Sequence, residues 1–176
     1  MKYIRFKDIP KFTKESNYCV DIDLRRIPVW IEREKEEAGL DMIPDFQRGH
    51  VWSRDQQIAF VEFLLRGGKT NPVYFNCPSW KYSVKKGQYN QYVCVDGLQR
   101  LTAICAFIDN EIPAFESYFK EFEDPRRLND ITIKFNVNDL RTEQEVLQWY
   151  IDINSGGTPH SKSEIDKVKS LISKYK

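Results

Sequence analysis

The sequence predicts an α+β fold, a small mixed sheet packed with helices, and three observations lead there. Runs of strand length recur at residues 18–24, 92–95 and 131–137. Between them lie stretches with helical apolar spacing, several opening on a Ser/Thr-x-x-Glu/Gln capping signature. Strands and helices are interleaved, which favours a small sheet with helices against it. The expected content is three to five short strands and five or so helices.

Taken in order, YCVDIDL (residues 18–24) alternates apolar and polar and is expected as a first strand. Pro28 has the fixed φ of a first helical turn, so VWIEREKEEA is expected as a helix stopping at Gly39. Residues 42–52 are expected to be extended, because Pro44 biases its neighbour away from helix. Ser53 and Gln56 form a capping box for a helix with Ile58, Val61 and Leu65 on one face, stopped by a left-handed Gly67. NPVYFN is a short strand with Pro72 at its start, and residues 79–91 form a polar hairpin or loop. Residues 92–95 are the next strand, and after Gly97 a helix carries Leu98, Leu101, Ile104, Cys105 and Ile108 on its apolar face. Phe115, Tyr118, Phe119 and Phe122 form an aromatic stripe for core or partner packing, ended by Pro125. ITIKFNV (residues 131–137) alternates as a strand. Thr142 with Glu145 opens a helix through Trp149, NSGGTP interrupts, and Ser161 with Glu164 opens a last helix to about Tyr175.

The 176 residues suit one domain. A chain of that size buries roughly 70% of its extended surface, enough for a core without staples. With 27 basic and 26 acidic residues the net charge is +1, so a bulk electrostatic footprint for nucleic acid is absent. Cys19, Cys77, Cys94 and Cys105 contain no C-x-x-C pair, and with only His50 and His160 available a zinc site is not expected. No secretory signal or membrane-length apolar run is found, which points to a reducing, cytoplasmic setting without disulfides.

The chemistry concentrates in VDGLQR (residues 95–100), where a buried strand becomes a buried helix. Gly97 allows positive φ and a close backbone approach. The helix after it starts with free N–H groups that attract anions. Arg100 in that first turn has the wrong sign for the helix dipole, a mismatch a bound phosphate would reverse. A second reading needs no ligand: Asp96 caps the helix, Gln99 completes the box, and Arg100 is an ion-pair partner. PDFQRGHVW places Gln47 and Arg48 between Phe46 and Trp52, as a cleft wall or a structural ion pair. Asn154, Gly156, Gly157 and Thr158 form a loop whose glycines allow an anion-binding nest, or serve only as a linker. There is no G-x-x-x-x-G-K-[ST], no Ser–His–Asp pattern and no His-rich metal motif.

IPDFQRGHVWS, then YVCVDGLQRLTAICAF, then INSGGTPHSKSEI resemble, in this order, the FQR-x-x-VW, DGQQRL and N-x-G-x-PL segments of one family. It is the N-terminal, GmrS-like domain of GmrSD-type modification-dependent restriction enzymes, itself similar to the ParB and sulfiredoxin superfamily. The match spans about residues 44–165 of a single domain over residues 1–176. It implies a ParB/sulfiredoxin-like fold in which a strand, a G-x-x-R turn and a helix bind nucleotide phosphates. It also implies nucleoside triphosphate binding and hydrolysis in defence against foreign DNA. By that resemblance Gly97 and Arg100 bind phosphate, Asp96 orients water or a magnesium ion, and Gln99 is its polar neighbour. Gln47 and Arg48 close the cleft, and Asn154, Gly156 and Gly157 line it. Two positions depart: Leu98 stands for a glutamine, which bears on hydrolysis, and His160 for an apolar anchor.

The leading expectation is therefore a nucleotide-binding, NTP-hydrolysing domain that senses or regulates. Its cofactor would be Mg²⁺ brought with the nucleoside triphosphate, and its partner an effector nuclease domain or chain. Two alternatives stand beside it. One is a ParB-like DNA-binding protein or metal-dependent nuclease, with Asp45, Asp55 and Asp96 converging on a metal. The other is an inactive interaction module that binds a phage or host protein.

Overall fold

A computed structural model describes residues 2, 4–5, 17–47, 49, 51–80, 86–154 and 162–175. Among these residues four strands form one sheet: β1 (Tyr18–Asp23), β2 (Val73–Asn76), β3 (Val93–Asp96) and β4 (Thr132–Asn138), in the order β1-β4-β2-β3. β1 runs antiparallel to β4, β4 parallel to β2, and β2 antiparallel to β3. Among the described residues five α-helices accompany them: α1 (Ile27–Ala38), α2 (Arg54–Leu65), α3 (Leu98–Ile108), α4 (Glu143–Asn154) and α5 (Lys162–Ile172). The fold is α+β with a small mixed sheet, as the sequence predicts.

The strand patterns follow from what covers each face. In β4, Ile133, Phe135 and Val137 are buried against α1, α2 and α3, while Thr132 and Lys134 on the other face are exposed. β3 lacks this alternation because both its faces are covered. Cys94 joins the core under α1–α3, and Val93 and Val95 join a second core with Phe46, Leu147, Trp149 and Tyr150. A strand buried on both sides reads as a continuous apolar run, as VCV does. Trp30 of α1 sets its edge against Phe75 and Phe135, with ring centroids 5.2 and 4.9 Å apart. Asn76, fully buried, extends the sheet with its side chain: Nδ2 donates to the Leu140 carbonyl and Oδ1 accepts from the Leu140 N–H.

The helix boundaries follow their capping chemistry. Pro28 lies in the first turn of α1, which stops at Gly39. Ser53 and Gln56 form both halves of a capping box on α2. That helix ends in a Schellman motif, with Gly67 N–H on the Leu64 carbonyl and Gly68 N–H on the Phe63 carbonyl. Thr142 and Glu145 make the box before α4. The box expected from Ser161 and Glu164 lies outside the described residues.

Two expectations need correction. Residues 42–52 are not extended as a whole. Only Asp41 pairs with the sheet, beside β3, and then the chain bends and makes a turn in which the Gln47 N–H bonds to the Pro44 carbonyl. That turn drives Phe46 into the second core, edge-on to Tyr150 at 5.3 Å. The aromatic stripe also divides. Phe119 and Phe122 pack on Phe107, but Phe115 sits at an exposed turn. No described helix is long and apolar enough to cross a membrane.

Candidate functional site

The turn between β3 and α3 is shaped by Gly97. Its φ is +117°, a conformation side chains disfavour, and a Cβ there would stand 2.7 Å from a Val73 methyl. The glycine lets β2 press against the turn. Gly97, not Asp96, is the N-cap of α3, and no side chain caps it. The D-x-x-Q capping box is therefore not formed. The first intrahelical bond runs from Leu101 N–H to the Gly97 carbonyl, so the amides of Leu98, Gln99 and Arg100 have no helical partner.

Gln99 has a different task. Its Oε1 accepts from the N–H groups of Val51 and Trp52 at 2.9 and 3.1 Å, and its Nε2 donates to the Gly49 carbonyl at 3.0 Å. One side chain thus pins Gly49, Val51 and Trp52 to the start of α3. Gln47 reaches the same strand end, with Nε2 donating to the Val95 carbonyl at 3.3 Å. Its Oε1 is buried and has no hydrogen bond among the described residues. A buried acceptor without a donor is costly, so this oxygen is a natural place for a ligand or water N–H or O–H.

Arg100 is already engaged. Nη2 pairs with Asp96 Oδ2 at 2.7 Å, and Nη1 donates to the Asn71 carbonyl and, at 3.4 Å, to Thr70 Oγ1. Its side chain is only 11% exposed, that of Asp96 31%. The guanidinium therefore ties the end of β3 to the segment entering β2, which removes the dipole mismatch as a sign of a ligand. Thr70 and Asn71, its partners, carry no sequence signal beyond being polar residues before a proline. The Cys94 thiol beneath the turn is pushed up by burial and by Asp96, with Arg100 offsetting in part, so it stays a neutral core group.

Asn154 ends α4, and its Nδ2 folds back on the Tyr150 carbonyl at 2.8 Å. Tyr150 in turn packs on Phe46, so the third motif adjoins the first through this ring pair. Gly97, Gln99, Arg100, Asp96 and Gln47 thus cluster at one turn, with Asn154 one helical turn beyond Tyr150. Arg48, Gly156 and Gly157 lie outside the described residues. Asp45, Asp55 and Asp96 do not form a three-ligand metal group, nor do any other His, Cys, Asp or Glu side chains among the described residues. A groove of about 720 Å³ opens on the other flank of α3, between it and α1, where Leu98, Thr102 and Cys105 face Val29 and Glu32.

Neither a curated protein nor a solved structure gives a match to the chain. A family model does match, over residues 29–172, and it covers all of the contacts just described. The chain therefore belongs to the family of the GmrSD restriction endonuclease, N-terminal domain.

Proposed function

We propose that this chain binds a nucleoside triphosphate at the start of α3 and serves a restriction system as its nucleotide-responsive part. Family membership supports a role in restriction and phage defence. The observation that carries the nucleotide reading is the uncapped N-terminus of α3 beside the orphan Gln47 Oε1, under a loop held by Gln99. Three free N–H groups and the helix dipole suit a phosphate. The Gln47 oxygen suits a hydroxyl or amino donor on the rest of the nucleotide.

Within this reading Arg100 positions the turn and contributes charge without leaving Asp96. Magnesium fits as an ion carried mostly by the phosphates, the usual arrangement for that metal. Asp96 is the carboxylate that would reach it, through Oδ1, because Oδ2 is taken by Arg100. When bound, the ion would neutralise phosphate charge. Arg48, Gly156 and Gly157, outside the described residues, are further candidates for phosphate contacts on the motif resemblance alone. All four cysteines are free, which agrees with work in the cytoplasm, beside an effector nuclease domain or chain.

The test is thermal stability and phosphate release with GTP, ATP, CTP and UTP, each with magnesium. A ligand at a hundred times its Kd stabilises by about 2.7 kcal/mol, a readily measured shift. Gln47→Ala is expected to weaken the response and Gln99→Ala to reduce it by freeing the loop. Absence of any shift with all four nucleotides overturns the proposal.

A further inference from the structure

The groove between α1 and α3 is a surface that phosphate binding does not use. Its two walls are helix faces. Leu98, Thr102, Cys105 and Asp109 recur at helical spacing along α3, and Val29, Glu32 and Glu36 along α1. The floor is apolar and reaches down to buried Ile31 and Leu101. Val29 and Ile43, which also line it, are 73% and 54% exposed, so the apolar surface continues out to solvent. The Thr102 hydroxyl on the α3 wall is spent within its own helix, donating to the Leu98 carbonyl at 2.9 Å.

Charge is confined to the rim, and it is unbalanced. Lys35 pairs with Glu32 and Arg33 with Glu34, each at 2.8 Å, so both rim cations are already neutralised. Glu36, Asp109 and Glu111 have no ion-pair partner among the described residues. Asp109 caps the end of α3, where the last helix carbonyls add to the negative potential. The Cys105 thiol on the floor registers this field. Burial, then Asp109, pushes it up; Lys35 opposes, and Glu32 and Glu111 add to the rise.

These features select the occupant. A small ligand needs convergent polar groups inside its pocket, and here they stand only at the rim. An extended peptide needs a free backbone edge, which two helices with internally bonded N–H and C=O groups do not offer. A helix brings its own backbone bonds and can lay an apolar stripe between two others. Among the described residues no helix of this chain exposes more than one large apolar side chain, Val29 on α1 and Phe63 on α2, so a second copy does not supply it. The acidic rim calls for lysine or arginine beside the stripe. We propose that the α1–α3 groove docks an amphipathic helix of another protein, its apolar stripe on Leu98, Thr102 and Cys105 and its basic side chains beside Asp109 and Glu111. Nucleotide binding at the α3 turn plays no part in this docking.

The experiment is fluorescence anisotropy of the full chain with a labelled leucine–lysine peptide, its leucines at i, i+3, i+4 and i+7 and its lysines on the flanks. A scrambled peptide of the same composition and a leucine–glutamate version are the comparisons. The leucine–lysine helix is expected to bind most tightly. Val29→Asp places a carboxylate in the first turn of α1, where the dipole favours it, so the melting temperature should hold. It is expected to weaken peptide binding about tenfold, the loss for one apolar contact. Asp109→Lys with Glu111→Lys sets cations at the end of α3, again the sign the dipole favours. That pair should weaken the lysine peptide about tenfold or more and strengthen the glutamate peptide. The nucleotide-induced thermal shift stays unchanged in Val29→Asp, which separates this groove from the α3 turn. Equal binding of the scrambled peptide, unchanged binding by Val29→Asp, or no exchange of preference in the double variant would overturn the inference. Self-association of the wild type that Val29→Asp abolishes, without peptide binding, would assign the groove to a second copy and overturn it too.

Discussion

Arg100 and Asp96 face each other across the first turn of α3, 2.7 Å apart, and the same guanidinium also grips the Asn71 carbonyl. This is a clamp between the end of one strand and the entry to its neighbour. Charged hydrogen bonds of this kind contribute about 1.5–3 kcal/mol each. Arg100→Ala is expected to destabilise by that amount in a denaturant melt, and Asp96→Asn by less. The double variant should cost less than the two singles added together. Strict additivity would refute the clamp.

Gly97→Ala meets two obstacles, a left-handed φ and the Val73 methyls. The conformational part alone is on the order of 1–3 kcal/mol. Combining Gly97→Ala with Val73→Ala should recover the steric part and leave the φ cost. Full recovery in thermal melts would mean that the backbone conformation carries no penalty.

Leu98 is 5% exposed and lines the groove toward α1, on the flank away from Asp96 and Arg100. Leu98→Gln would put a polar amide into an apolar contact, with an expected loss of about 1–3 kcal/mol. It should not change phosphate release with any nucleotide. A gain in release would show that this position faces the chemistry after all.

The thiols give a pH prediction. Burial pushes Cys105 from 9.0 up to about 12, and raises Cys94 and Cys77 as well. A folded pKa above the unfolded one means stability that is complete below about pH 9 and lost as pH rises towards 12. In that window Cys105 lowers stability by about 1.4 kcal/mol per pH unit, and Cys94 and Cys77 act in the same direction. Urea melts from pH 8 upward should show the fall, and Cys105→Ala should make it shallower. Exposed Cys19 should react with Ellman's reagent at once, and buried Cys77 and Cys94 only on unfolding.

Much of this was legible in the residues. The capping boxes at Ser53 and Thr142 mark helix starts because they are local chemistry, readable within four positions. The alternation of residues 131–137 locates β4 for the same reason. Phe107 was missed as a core residue because α3 lies between α1 and α2 and buries more than one face. At the turn, the cluster of Gln47, Gln99, Asp96 and Arg100 was foreseeable from the first two motifs. The partners were not. Thr70, Asn71 and the Val51 and Trp52 amides are joined to it only through tertiary contact, and backbone groups leave no trace in side-chain identity.

The position of β4 has a consequence for how the chain comes to be folded. Tyr18 pairs with Val137, and β2 pairs with the same strand, so both wait for a segment made after them. Until it emerges, β1 has no neighbour and β2 has only β3. Such distant pairing slows folding and leaves strand edges open to other chains meanwhile. A nascent chain of this kind would gain most from a chaperone during the interval between Asn76 and Asn138.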